Sequence, residues 1–140
     1  MLAGPISPNG HFTWDEFACH DAAGTPVPAE YEDHARAVNA ELELIRRLCG
    51  DVPLTVTRVY STPAHNATIP GAASQSYHLQ ALAADIVPPA GVTPAEFFVY
   101  VLSTALSAHS LIRYVRLYNH DGHVHFDLRV SPVYTFEVIP

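Results

Sequence analysis

Along residues 31–48 the apolar side chains of Tyr31, Ala35, Val38, Leu42, Ile45 and Leu48 return every third or fourth position, which predicts a helix with one buried face. Arg46 and Arg47 fall in its last turn, where the helix dipole favours positive charge, and Gly50 stands just past its end. A shorter helix is expected from Trp14 to about Cys19, opened by Thr13-Trp14-Asp15-Glu16, a Thr-x-x-Glu capping box. A third follows Thr93-Pro94-Ala95-Glu96, a second capping box with Pro at the first helical position. Its sequence is apolar nearly all round, so this helix is expected to be buried.

Elsewhere the period drops to two. Residues 54–60 alternate and are rich in β-branched side chains, which predicts a strand. Residues 82–87 form an apolar run broken by one acid, Asp85, and stopped by Pro88 and Pro89: a buried strand. Residues 111–118 and 123–130 flank the turn Asn119-His120-Asp121-Gly122 and are read as a hairpin, with a further strand over 133–138. The turn-rich stretch 61–75 holds a short helical turn around His65 and Asn66. Helices first and clustered strands later give an α+β fold, a small antiparallel sheet packed against helices, with residues 1–140 as one domain.

Composition narrows the function. All seven basic residues are Arg, against fourteen acids, for a formal charge of -7. Nucleic acid is therefore excluded as an expected partner, because phosphate binding relies on clustered Lys and Arg. No apolar run approaches the ~20 residues of a membrane span, and residues 1–10 lack the basic start and long apolar core of a secretory signal. The two cysteines, Cys19 and Cys49, are too few and too far apart for a disulfide framework or a zinc knuckle and read as buried structural thiols.

Chemistry concentrates in two segments. Ser76-Tyr77-His78 leads through apolar residues to Asp85, and a buried carboxylate is costly unless it is paired or bound to a metal. Forty residues later His123-Val124-His125-Phe126-Asp127 alternates, so His123, His125 and Asp127 share one face of a strand and Val124 and Phe126 the other. Imidazole and carboxylate are ordinary zinc ligands, and a catalytic site needs three of them plus an open position. His11, His20, His34, His109 and His120 stand outside any such group and read as surface or core residues; His65 reads as a structural hydrogen-bonding residue.

These segments resemble the zinc D-Ala-D-Ala carboxypeptidase family of murein peptidases, in the group that also holds lysostaphin-type endopeptidases and the hedgehog signalling domain. Ser76-Tyr77-His78 through Asp85 is similar to the family's segment with two zinc ligands, and the late His-x-His-x-Asp segment to the one that supplies the third. Tyr60-Ser61-Thr62-Pro63-Ala64-His65-Asn66 resembles its substrate-side turn, and Phe12 to Phe17 its N-terminal start. The resemblance implies a Zn2+-dependent peptidase acting on peptidoglycan stem or cross-link peptides near D-Ala, as a monomer and in the setting of a phage or prophage lysin. It implies His78, Asp85 and His125 as metal ligands, His123 as the proton-handling catalytic residue, and Arg58 and Ser76 as substrate-binding residues.

Three departures stand beside the matches. Ser61 replaces an arginine thought to grip a substrate carboxylate, Ala81 replaces a common glycine, and Gly122 occupies a position where many relatives carry an acid. Arg58 is the candidate replacement for the lost charge, with an exposed strand arginine as the alternative. Asp127 is expected to hold His125 or His123 in one tautomer, with a surface aspartate at a strand end as the alternative, and Asp121 and Asp127 are reserve bases. The alternative function that Ser61 and Gly122 leave open is a noncatalytic zinc-binding module of a wall-binding or virion structural protein.

Overall fold

The computed structural model describes residues 2–140. Its first helix, α1 (Trp14–Phe17), is fixed by the expected capping box: the Thr13 hydroxyl accepts from the Glu16 N–H, and the Glu16 carboxylate accepts from the Thr13 N–H at 3.0 Å. Helix α2 (Glu32–Leu48) buries Ala35, Val38, Leu42 and Ile45 on the stripe its periodicity predicts. A short α3 (Pro63–Thr68) is capped by the Thr62 hydroxyl, and α4 (Pro94–Ala105) by that of Thr93. Helix α4 departs from the expectation of burial. Phe97, Val101 and Ala105 face the core while Val99 is 56% exposed, so only one side is covered. An apolar sequence says how much surface a helix could bury, not how much the fold has to offer it.

Five strands form one sheet: β1 (Thr55–Arg58), β2 (Ala83–Val87), β3 (Tyr114–Tyr118), β4 (Val124–Asp127) and β5 (Thr135–Ile139), in the order β1-β2-β4-β3-β5. The α+β architecture is as expected, but the sheet is mixed and not antiparallel throughout: β5 lies parallel to β3, with Tyr114 opposite Thr135. The chain leaves β4, crosses the end of β3 through residues 128–134 and has to enter the free edge of β3 from the same end at which β3 begins.

One face of the sheet carries Ile86, Val115, Leu117, Val124 and Phe126 into a core shared with α2, α4 and the N-terminal Phe12 and Phe17. Alternation then turns the neighbouring residues of the same strands to the opposite face. Cys19 and Cys49 are both free thiols, but only Cys19 is buried as expected; Cys49, just past the end of α2, is half-exposed.

Candidate metal centre

Pairing across the sheet aligns Arg58 with Asp85, Asp85 with His125, His125 with Arg116, and Arg116 with Glu137. One row of ionisable residues therefore crosses all five strands on the face away from the core. Directly opposed side chains on neighbouring strands lie roughly 5 Å apart at Cβ, close enough to interact. Sequence separation hides this row, because its members span 58 to 137 and only the strand order brings them together.

His78 enters the row from above. It belongs to a 3-10 turn, Tyr77–Gln80, which the Ser76 hydroxyl caps by accepting from the His78 N–H at 3.2 Å. Ala81 ends the turn in the left-handed conformation with φ 55°, which favours glycine. The turn sets the His78 ring between the Val59 carbonyl and Asp85, where it is 2% exposed.

One ligand atom each from His78, Asp85 and His125 lies within 4.8 Å of the others, so the three could hold a metal ion. Asp85 Oδ1 is 3.2 Å from His78 Nε2 and 2.8 Å from His125 Nδ1. The outward atoms of both rings are fixed. His78 Nδ1 lies 2.8 Å from the Val59 carbonyl, which only accepts, so Nδ1 carries the proton. His125 Nε2 lies 2.9 Å from Asp127 Oδ2 and donates to that carboxylate. In the neutral rings, both nitrogens that face Asp85 present lone pairs. Two lone pairs set against a carboxylate oxygen are unfavourable unless a cation sits among them, and this donor set suits zinc.

Electrostatics agree. Burial lowers the affinity of His78 for a proton and outweighs the pull of Asp85, so this ring stays neutral. Burial works to raise the Asp85 carboxyl, but the His78 and His125 imidazoles beside it hold it well below the usual carboxylate range. Burial also opposes charge on His125, yet hydrogen bonds from its ring to Asp127 and Asp85, with their charges, push it up to about 9. Without a metal, a proton on His125 is the cation of the cluster.

A second layer holds these groups. Asp127 is fully buried and accepts two hydrogen bonds from Arg129, Nε to Oδ1 at 2.7 Å and Nη2 to Oδ2 at 2.8 Å. The Arg129 guanidinium lies 3.9 Å from the centre of the Tyr114 ring and 4.9 Å from that of Tyr77. Asp127 thus has the ring-orienting position expected of it. Arg129 escaped the sequence reading; the one available signal was its place two residues after Asp127, on the same face of an extended chain.

A cavity of about 240 Å³ opens onto the cluster, lined by Arg58, Ser76, Tyr77, Arg116 and Arg129 among others. Arg116 is clamped to Glu137 by Nη2 at 2.7 Å and Nε at 3.0 Å, and Tyr114 donates to the same carboxylate oxygen. Arg58 is half-buried rather than an exposed strand arginine. Its Nη2 donates to Asn66 Oδ1 at 2.6 Å and to Ser61 Oγ at 3.3 Å. The small Ser61 side chain therefore leaves room for Arg58, the only one of the cavity's three arginines without a carboxylate in hydrogen-bond contact.

His123 lies outside the three-residue cluster. It stacks on Tyr118 at 4.3 Å with Nδ1 2.6 Å from Asp121 Oδ1, and it lines a neighbouring cleft with Asp121, Arg58 and Asp85. The His-Asp-His cluster under the cavity, with His78 buried, Asp85 and His125 half-buried and Asp127 behind, could hold a metal ion. The Peptidase M15 family model matches residues 10–127, most of the chain and every residue of the triad. The chain belongs to the Peptidase M15 family. No curated protein matches it. The M15 match ends at Asp127, so Arg129 and the whole of β5, with Glu137, lie beyond it.

Proposed function

We propose that this M15 chain is a zinc metallopeptidase that hydrolyses peptidoglycan stem or cross-link peptides close to D-Ala. The observation that carries the reading is the inward-facing pair of imidazole lone pairs on Asp85, each fixed by an outer partner, Val59 or Asp127. His78, Asp85 and His125 would hold the ion and leave a position open toward the cavity. Zn2+ there supplies Lewis acidity toward a peptide carbonyl and toward water.

The chain's own residues supply the rest. Arg58, with no carboxylate partner, suits a substrate carboxylate or carbonyl, and Ser76 keeps the cavity wall in place through its cap on the His78 turn. His123 is held at Nδ1 by Asp121, which leaves Nε2 to take a proton and return it to the leaving amine. Asp121 thereby takes the place of the acid that Gly122 lacks. With Arg58 and the Asp121–His123 pair compensating both departures, the catalytic reading is favoured over a noncatalytic module.

Two measurements test it. Replacing His78, Asp85 or His125 with Ala is expected to lower bound zinc well below one per chain, and unchanged stoichiometry in all three would remove the assignment. His123→Ala is expected to keep zinc and fold while turnover of purified muropeptides drops on the order of 10²-fold or more. Mass-spectrometric assignment of the products identifies the bond, and a parent that holds zinc yet releases no product would make this a noncatalytic module.

A further inference from the structure

At the β5 edge of the sheet, a single oxygen of Glu137 gathers three donors. Its Oε2 accepts from the Tyr114 hydroxyl at 2.8 Å and from Arg116 Nη2 at 2.7 Å and Nε at 3.0 Å. Strand β3 supplies both partners because Tyr114, Arg116 and Tyr118 alternate onto one face, and the parallel pairing sets Glu137 directly opposite Arg116. The Tyr114 hydroxyl and the Arg116 fork hold the Glu137 carboxyl below the usual carboxylate range, so it is charged at neutral pH.

Arg116 needs that charge to stay in place. Its other cross-strand neighbour is His125, and like charges opposed on adjacent strands repel. With a proton or a metal on His125 an unpaired guanidinium would turn away, and the bonds to Glu137 keep it on the face. Its remaining nitrogen, Nη1, then donates to the Tyr118 hydroxyl at 3.2 Å, the one hydrogen bond of that hydroxyl among the described residues. Tyr118 in turn stacks on His123, with ring centres 4.3 Å and planes 10° apart. A chain of contacts thus runs from Glu137 through Arg116 and Tyr118 to His123.

Glu137 also reaches toward His125, because the Tyr114 ring lies edge-on to that imidazole at 5.8 Å. His125, however, is fixed independently by Asp85 and Asp127. The His123 ring has a single hydrogen-bond partner among the described residues, Asp121 at Nδ1, and a ring held at one atom can still swing about it. The face of Tyr118 removes that freedom. Loss of Glu137 therefore falls on His123 and not on the metal cluster.

We infer that Glu137 is a positioning residue for His123, acting through Arg116 and the Tyr118 ring. The inference rests on the proton-transfer role proposed for His123, and it gives a catalytic purpose to a strand beyond the Peptidase M15 match.

The test pairs the ring-proton chemical shifts of His123 in the zinc-loaded protein, which the stacked Tyr118 ring displaces, with steady-state turnover of purified muropeptides. In Glu137→Ala the His123 signals are expected to move toward those of an unstacked histidine. Zinc stoichiometry should hold, and kcat should fall on the order of tenfold with KM within about twofold of the parent. Glu137→Gln keeps an oxygen for Tyr114 and Arg116 and is expected to recover part of both effects. Tyr118→Phe keeps the stacked ring but removes the hydroxyl that Arg116 holds, so it should reproduce them and carries the test should Glu137→Ala not fold. Because both changes cut one chain, the double variant should lose no more than the worse single one. Unmoved His123 signals, turnover lost only in step with zinc, or losses that multiply in the double variant would overturn the inference. A parent that releases no product would remove the peptidase reading instead, and the ring signals alone would then decide whether Glu137 sets the His123 ring.

Discussion

Arg129 touches none of the three cluster atoms, yet it decides which way one of them faces. Its fork fixes both oxygens of Asp127, and Asp127 fixes the proton of His125 on Nε2, so that Nδ1 is left for the cluster. Partners of this outer kind typically contribute 10–100-fold to metal affinity. Arg129→Ala is expected to weaken zinc binding by about that factor, and Arg129→Lys to recover only part, since an ammonium cannot make two parallel bonds. Competition against a chromophoric chelator measures both, and equal affinities across the series would mean that Asp127 orients His125 unaided. At this scale the sequence was informative where residue type and local spacing suffice. Asp85 stood out as the one acid in an apolar run, and His78 and His125 as the histidines in the two segments of ligand-like spacing. Arg58 could not be resolved, because whether a strand arginine turns outward or into a cavity depends on Ser61 and Asn66, which meet it only in the folded chain. The Val59 carbonyl that sets the His78 tautomer has no side-chain signature at all.

Elements whose signals are local were legible for the same reason. Capping boxes at Thr13 and Thr93 mark helices because donor and acceptor lie three residues apart, and the turn at 119–122 marks a hairpin because its strands are adjacent in sequence. The direction of β5 was not legible, since nothing in residues 135–139 encodes which edge is vacant. Turn 119–122 also explains why an acid cannot simply be placed at Gly122. Gly122 has φ 79°, and a Cβ there would meet Pro94 Cγ at 3.0 Å. A left-handed conformation costs a substituted residue about 1–2 kcal/mol. Gly122→Asp is therefore expected to lower the melting temperature by on the order of 5 °C and to bring no gain in turnover. A variant that is both as stable as the parent and faster would show that the turn tolerates the acid and that Asp121 is not its substitute.

For the whole molecule, the separation of core and site onto opposite faces of one sheet determines what metal removal does. Small zinc modules unfold without their ion because the site is their core. Here Phe97 of α4 and Val115, Val124 and Phe126 of the sheet belong to a core that includes no cluster residue, so the stripped protein is expected to keep its circular dichroism spectrum. It should melt lower, because an ion bound only by the folded state stabilises it by about 4 kcal/mol at a thousandfold excess over Kd. That difference is expected to depend on pH, with a definite sign. In the metal-free protein His125 titrates at about 9, above the ~6.5 of an unfolded chain. Its protonation therefore supports the fold fully below pH ~6.5, and the support fades as pH rises through about 9. Bound metal occupies the same nitrogen and must displace that proton, so zinc affinity falls by up to tenfold for each unit below about 9. Both effects act in one direction: the gap between zinc-loaded and stripped melting temperatures should widen as pH rises from about 6.5 to 9. Paired thermal scans across that window, with and without chelator, read the gap directly. A constant or narrowing gap would mean that the proton and the ion do not compete for His125, and the His-Asp-His cluster would then have to be reassigned.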